Sequence, residues 1–218
     1  MQTSGSLALV RPLARVRRLI ARAPHPNLEA LVEQAHRCET ACDLLLEILE
    51  NAAASEPLFE RILLLESESQ KANFALTAGL RSSFLTPLDV EDVQSLSNAF
   101  VRIIQAARRS AGNARMLPGR LSLVPVQREI AGMVSGISAT VRMVVAGEPA
   151  FEGAVSVLRR QREVRLALRN ATASAMISSG GDIYALLAHH RMNASLADLV
   201  HRLRKAITGL QWLILKNG

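Results

Sequence analysis

Residues 27–50 read NLEALVEQAHRCETACDLLLEILE, and Leu28, Leu31, Ala35, Cys38, Cys42, Leu45 and Leu49 within them decide the fold. Apolar residues at alternating steps of three and four form the seam of a helix that packs on other helices. A half-buried strand would alternate every two residues instead. The seam runs through three heptads without a Gly or Pro to break it. This is a bundle helix.

The chain on either side reads the same way. Ser55-Glu56-Pro57 starts a second helix, with Pro tolerated in the first turn, and it extends to about Arg81. Thr86, Pro87 and Asp89 predict the next start: a hydroxyl cap, a Pro at the first helical position and an acid in the first turn. The third seam is Val93, Leu96, Phe100, Ile103 and Ala107. Ser110 to Pro125, with two glycines and two prolines, reads as the main linker. A fourth helix carries Val126, Ile130, Met133, Ile137 and Val144, with Gly132 and Gly136 offering a close helix approach. Glu148-Pro149 opens a fifth helix ending near Ser178-Ser179-Gly180-Gly181. Asp182 begins a sixth that reaches about Leu215.

The two halves echo each other. Glu56-Pro57-Leu58-Phe59-Glu60 matches Glu148-Pro149-Ala150-Phe151-Glu152, and Asp92-Val93-Gln94-Ser95-Leu96 matches Asp182-Ile183-Tyr184-Ala185-Leu186 at nearly the same offset. The pattern predicts an all-α, elongated bundle of two tandem three-helix repeats, about 27–114 and 122–216, forming one domain over 27–218. Composition agrees. The 218 residues are 49% hydrophobic but only 3% aromatic, too few aromatics for a sandwich or barrel. The longest uncharged stretches, Ile130 to Val141 and Asn170 to Gly181, are too short to span a bilayer. Two cysteines four apart cannot make a disulfide framework.

The net charge of +7 is concentrated at one end. Residues 1–26 hold Arg11, Arg15, Arg17, Arg18 and Arg22 and no acid, so this segment is expected to seek an anionic membrane face or an acidic partner. A partly disordered tail is the plainer reading of the same residues. With those five arginines set aside, the 26 basic residues fall almost to the level of the 19 acidic ones. The body is nearly neutral, so no nucleic-acid partner is expected.

No phosphate loop, nucleophile elbow or zincin motif is present, and no catalytic, cofactor or metal residue is assigned. Cys38 and Cys42 share a face on which two thiolates could reach zinc, but both lie on the seam, where Cys packs as a small hydrophobe. His36 points elsewhere. His189, His190 and His201 form a second cluster, with His190 and Asn193 expected on the sixth seam as a satisfied bundle-rim patch. Glu66, Gln70 and Asn73 share a face of the second helix that reads as solvated.

Ser83-Phe84-Leu85-Thr86-Pro87-Leu88-Asp89-Val90-Glu91-Asp92-Val93 resembles T-F-I-T-P-F-D-R-E-D-I, a stretch of the PhoU-like family, specifically the distant PhoU relatives that accompany low-affinity inorganic phosphate transporters. Leu31-Val32-Glu33-Gln34-Ala35 and Leu44 to Glu50 resemble that family's first helix. Asp182-Ile183-Tyr184-Ala185-Leu186-Leu187 resembles its E-I-Y-E-L-L. The resemblance spans roughly residues 28 to 215, although Ser110 to Arg169 match in helix placement only. It implies a pair of three-helix repeats and a bacterial, cytoplasmic, non-enzymatic regulator acting on a membrane phosphate transporter. Peripheral membrane contact would come through residues 1–26, and a homodimer is compatible with the pattern.

The resemblance also implies metal clusters held by E/D-x-x-x-D pairs, and here the chain departs from its apparent relatives. The paired positions fall on Glu66 and Gln70, Val101 and Gln105, Leu158 and Arg162, and Ser195 and Leu199. One carboxylate in eight positions is too few for a multi-metal site, so no metal cluster is expected. Arg102 and Arg162 instead place cations there, fit for an anion or for surface ion pairs. The competing readings are a basic helical adaptor for nucleic acid or protein and, with least support, an enzyme on a bundle scaffold.

Overall fold

The computed structural model describes residues 26–51, 53–82, 88–117, 120–178 and 182–217. The Arg-rich stretch through residue 25 and Ser83 to Pro87 lie outside the described residues. Six α-helices make up the fold: α1 (Pro26–Glu50), α2 (Ser55–Ser82), α3 (Val90–Arg115), α4 (Val124–Val145), α5 (Phe151–Ser178) and α6 (Ile183–Asn217). A 3-10 turn, Arg120–Leu123, precedes α4. No strand occurs among the described residues.

Every seam residue expected on α1 is buried, and the helix buries a second stripe beside it, Gln34, Ala41 and Ile48, at heptad spacing. The extra width has a simple cause: α1 is covered by α2, α3 and α4. The helices α1, α2 and α3 all pack on one another, whereas α4 packs on α5 and α5 on α6 with only light contact between α4 and α6. The two units join through α1 on α4 and α3 on α6. Their cores merge into one, with Phe100, Leu45, Ile103, Ile130 and Met133 fully buried.

Helix ends follow local chemistry, and three differ from expectation. The third helix starts at Val90, three residues beyond the expected Pro87, because Asp89 is its cap: its carboxylate accepts from Glu91 N at 2.9 Å. The expected linker is shorter than Ser110 to Pro125, since Ser110, Ala111 and Ala114 are buried and draw α3 on to Arg115. On α4 the seam passes from Ile137 to Val141, and Val144 is only half-buried.

The α4–α5 connection depends on Gly147, whose φ of 70° lies in the left-handed region. Glu148 N donates to Met143 O at 2.8 Å and Gly147 N to Val144 O at 3.1 Å, a paired C-terminal cap that closes α4. Asp182 caps α6 by accepting from Tyr184 N at 2.9 Å. The two glycines of α4 act as expected: a Cβ on Gly136 would lie 2.7 Å from Val157 Cγ2, and one on Gly132 would collide with Arg160. A side chain at Gly136 would force Val157 and α5 to shift, whereas one at Gly132 would have to displace only the flexible end of Arg160.

Candidate functional site

The interior carries polar groups that the seams do not announce. Gln34 of α1 reaches between α2 and α3: its Nε2 donates to Ser69 O at 3.1 Å, and its Oε1 accepts from Ser69 Oγ at 2.6 Å. Ser97 Oγ donates to Asn73 Oδ1 at 2.7 Å, and Asn73 Nδ2 donates to Asn98 Oδ1 at 3.0 Å. This chain ties the first three helices together. Gln127 of α4 reaches Cys42 O of α1 at 2.9 Å and ties the units. Asn73 therefore belongs to a network rather than to a solvated face. Glu66, only 16% exposed, pairs with Arg108 of α3 at 2.8 Å and accepts from Gln70 at 3.3 Å. That face of α2 is turned toward α3.

Cys38 and Cys42 are free, buried thiols. Burial pushes both upward, Cys42 to about 12, with the Asp43 and Glu39 charges adding to it. Cys38 Sγ donates to Phe100 O at 3.3 Å, while His36 is 60% exposed and faces Glu39. A thiolate is the reactive form, so neither cysteine should react appreciably with a thiol reagent near pH 8 until the chain is unfolded. Replacing each with Ala should cost about 1–2 kcal/mol, measured by urea unfolding. Rapid labelling of the folded protein would contradict the assignment.

Of the two polar residues expected on the sixth seam, Asn193 is buried, at 8% exposure, and His190 is not: Met192, Leu196, Leu199 and Leu203 form the seam and leave His190 exposed. Asn193 Nδ2 donates to Thr172 Oγ1 of α5 at 3.0 Å. Its Oδ1, and His189 Nδ1 one turn before it, are buried without a protein hydrogen-bond partner. His201 is not part of this patch. It faces α3.

The faces of α3 and α6 form an open polar groove. The pair is antiparallel: Arg109 bonds Asp198 at 2.6 Å near one end, and Lys216 bonds Asp92 at 2.7 Å at the other. Ala99 of α3 and Ala206 and Gly209 of α6 are small, and although the two helices pack closely, a groove of about 450 Å³ runs along their shared face. Arg102 of α3 faces it, with His201, Arg202 and Lys205 of α6. Asp198 is the one acid in the lining, and Arg202 and Arg109 share it at 2.9 and 2.6 Å. Burial would raise the Asp198 carboxyl, but the hydrogen bonds from the two arginines outweigh it and hold it below the ordinary carboxylate value. Its stabilisation is therefore complete above the unfolded-state value and is lost as acid carries the pH through the lower folded one.

The positions of the metal-binding pairs implied by the PhoU-like resemblance do not fit metals. Glu66 already has both oxygens engaged, and Leu199 is in the core. Ser195 Oγ donates to Met192 O at 2.8 Å. Arg162 is exposed on α5 and does not line the α3–α6 groove. Among the described residues no three His, Cys, Asp or Glu side chains come within reach of one cation.

Sequence reasoning found Arg102 but not Lys205 or Gly209, its companions across the groove. The available signal was Gly209 itself, a glycine inside a helix with no turn to serve.

The fold defined by this arrangement is the PhoU-like all-α bundle. A solved PhoU-like protein from Shewanella oneidensis MR-1 superposes with a TM-score of 0.76 at 10% identity, over 87% of this chain and 99% of that one. A PhoU-like phosphate regulatory protein of the same bacterium superposes with a TM-score of 0.67, again at 10% identity over 87% and 99%. No family model and no curated protein matches the chain by sequence.

Proposed function

We propose that this chain is a regulatory or accessory protein of phosphate homeostasis that acts without catalysis, by contact with a membrane-bound inorganic phosphate transporter. The observation that carries the reading is the likeness in fold, over nearly the whole of the other chain, to a PhoU-like phosphate regulatory protein. Two features support contact at a membrane. No described helix is long and apolar enough to cross a bilayer, so contact would be peripheral. The closed end of the α5–α6 hairpin exposes Ile177, Ile183, Tyr184 and Leu187, an apolar tip of the kind that marks interaction surfaces. The basic segment of residues 1–26 would add electrostatic attraction to anionic headgroups.

The test combines uptake and capture. Cells lacking the gene should take up labelled phosphate at an altered rate that the intact gene restores. Tagged full-length protein should retain a phosphate transporter from detergent-solubilised membranes, and protein lacking residues 1–26 should retain less. Unchanged uptake together with no retained transporter would sink the proposal. Retention of nucleic acid in place of transporter would favour the adaptor reading.

A further inference from the structure

The α3–α6 groove has three properties that packing does not explain. The Lys216–Asp92 and Arg109–Asp198 ties set Arg102 of α3 level with Lys205 of α6, and both cations line the groove. Like charges in that position repel, and a chain selected only for stability would pair or replace one. Neither Arg102 nor Lys205 nor His201 has a carboxylate partner among the described residues, because Asp198 is already shared by Arg109 and Arg202.

Gly209 supplies the second property. A Cβ built there meets nothing within 4 Å, unlike the glycines of α4, whose neighbours leave no room. Glycine inside a helix is unfavourable relative to alanine, and here no close approach or turn compensates. What the glycine keeps is open space between the cations. The third property is size. A volume of about 450 Å³ lies within the range of small-molecule sites and exceeds what a single bound ion fills.

We propose that this groove binds a phosphate-class oxyanion carrying several negative charges, an inorganic oligophosphate. The fork of Arg102 and the ammonium of Lys205 would grip it from the two helices. His201 and the freer guanidinium edge of Arg202 lie along the same wall, while Asn98 and Ser95 of α3 offer neutral hydrogen bonds. An anion between Arg102 and Lys205 removes their repulsion and bridges the two three-helix units. Phe, Tyr and Trp are absent from the lining, so nothing stacks a base, and the site is suited to a bare phosphate chain rather than to a nucleotide. The groove's own geometry carries this site, whether or not the chain contacts a transporter.

Isothermal titration of the full-length chain with tripolyphosphate tests it, alongside orthophosphate, ATP and a poly-glutamate peptide. One equivalent of tripolyphosphate should bind at least tenfold more tightly than orthophosphate and more tightly than ATP. Arg102→Gln and Lys205→Gln should each weaken it at least tenfold. Gly209→Leu should abolish binding by filling the groove while leaving the thermal midpoint unchanged or higher, which separates loss of site from loss of fold. Equal affinity for orthophosphate, preference for ATP or the peptide, or binding unaffected by Gly209→Leu would overturn the proposal.

Discussion

Replacing Phe100 with Ala should lower the unfolding free energy by about 3–5 kcal/mol. Phe100 has no exposed surface and sits on α3, the helix that packs on α1, α2 and α6. Its removal opens a cavity on the side of α3 where Cys38 of α1 donates to the Phe100 carbonyl, and closely packed helices cannot collapse fully into the hole. For a domain of this length the thermal midpoint should fall by roughly 2–4 °C for each kcal/mol. Phe74 is the internal comparison: it is 79% exposed on α2, and its change to Ala should shift stability by less than about 0.5 kcal/mol. Equal effects at the two sites in urea unfolding would contradict the burial of Phe100 in the core.

The next largest effect is expected at Gln34, and its sign can be inverted. Gln34→Leu removes the acceptor for the buried Ser69 hydroxyl, leaving a polar group that costs about 1–3 kcal/mol when orphaned. The donation to Ser69 O disappears as well, although that carbonyl keeps its place in the helix ladder of α2. Adding Ser69→Ala takes away the orphan, so the double variant should recover most of the loss and come near the parent. The double-mutant cycle by urea denaturation should therefore show a coupling of about 0.5–3 kcal/mol. Simple additivity would mean the two side chains are not partners in solution.

The helices were legible because burial here is periodic: the seams of α1 and α3 are marked by Leu, Ile, Val and Cys at heptad steps, and each is buried as read. Cues that hang on a single local competition were less legible. Thr86 and Asp89 both offer a cap within four residues, and nothing local shows that the carboxylate of Asp89 takes the role. His189 and His190 compete for one seam, and a small rotation turns His190 to water while Asn193 stays inside. Glu66 looked solvated because its partner, Arg108, lies on another helix forty-odd residues away. The groove was the hardest to read. It is made of what is missing from two distant segments, and small residues leave no pattern that reports the space beside them.

The helices α1 and α3 run the same way, Gln34 beside Ser97 and Cys38 beside Phe100, and α6 runs back along α3 to set Lys216 against Asp92. The start of α1 and the end of α6 consequently share one end of the bundle. Translation order and packing are thus separable. A chain joined from α6 to α1 and opened between α3 and α4 would be a circular permutant, threading the same helices as α4–α5–α6–α1–α2–α3 with every interface between them kept. The bundle is closed in space although it is linear in sequence.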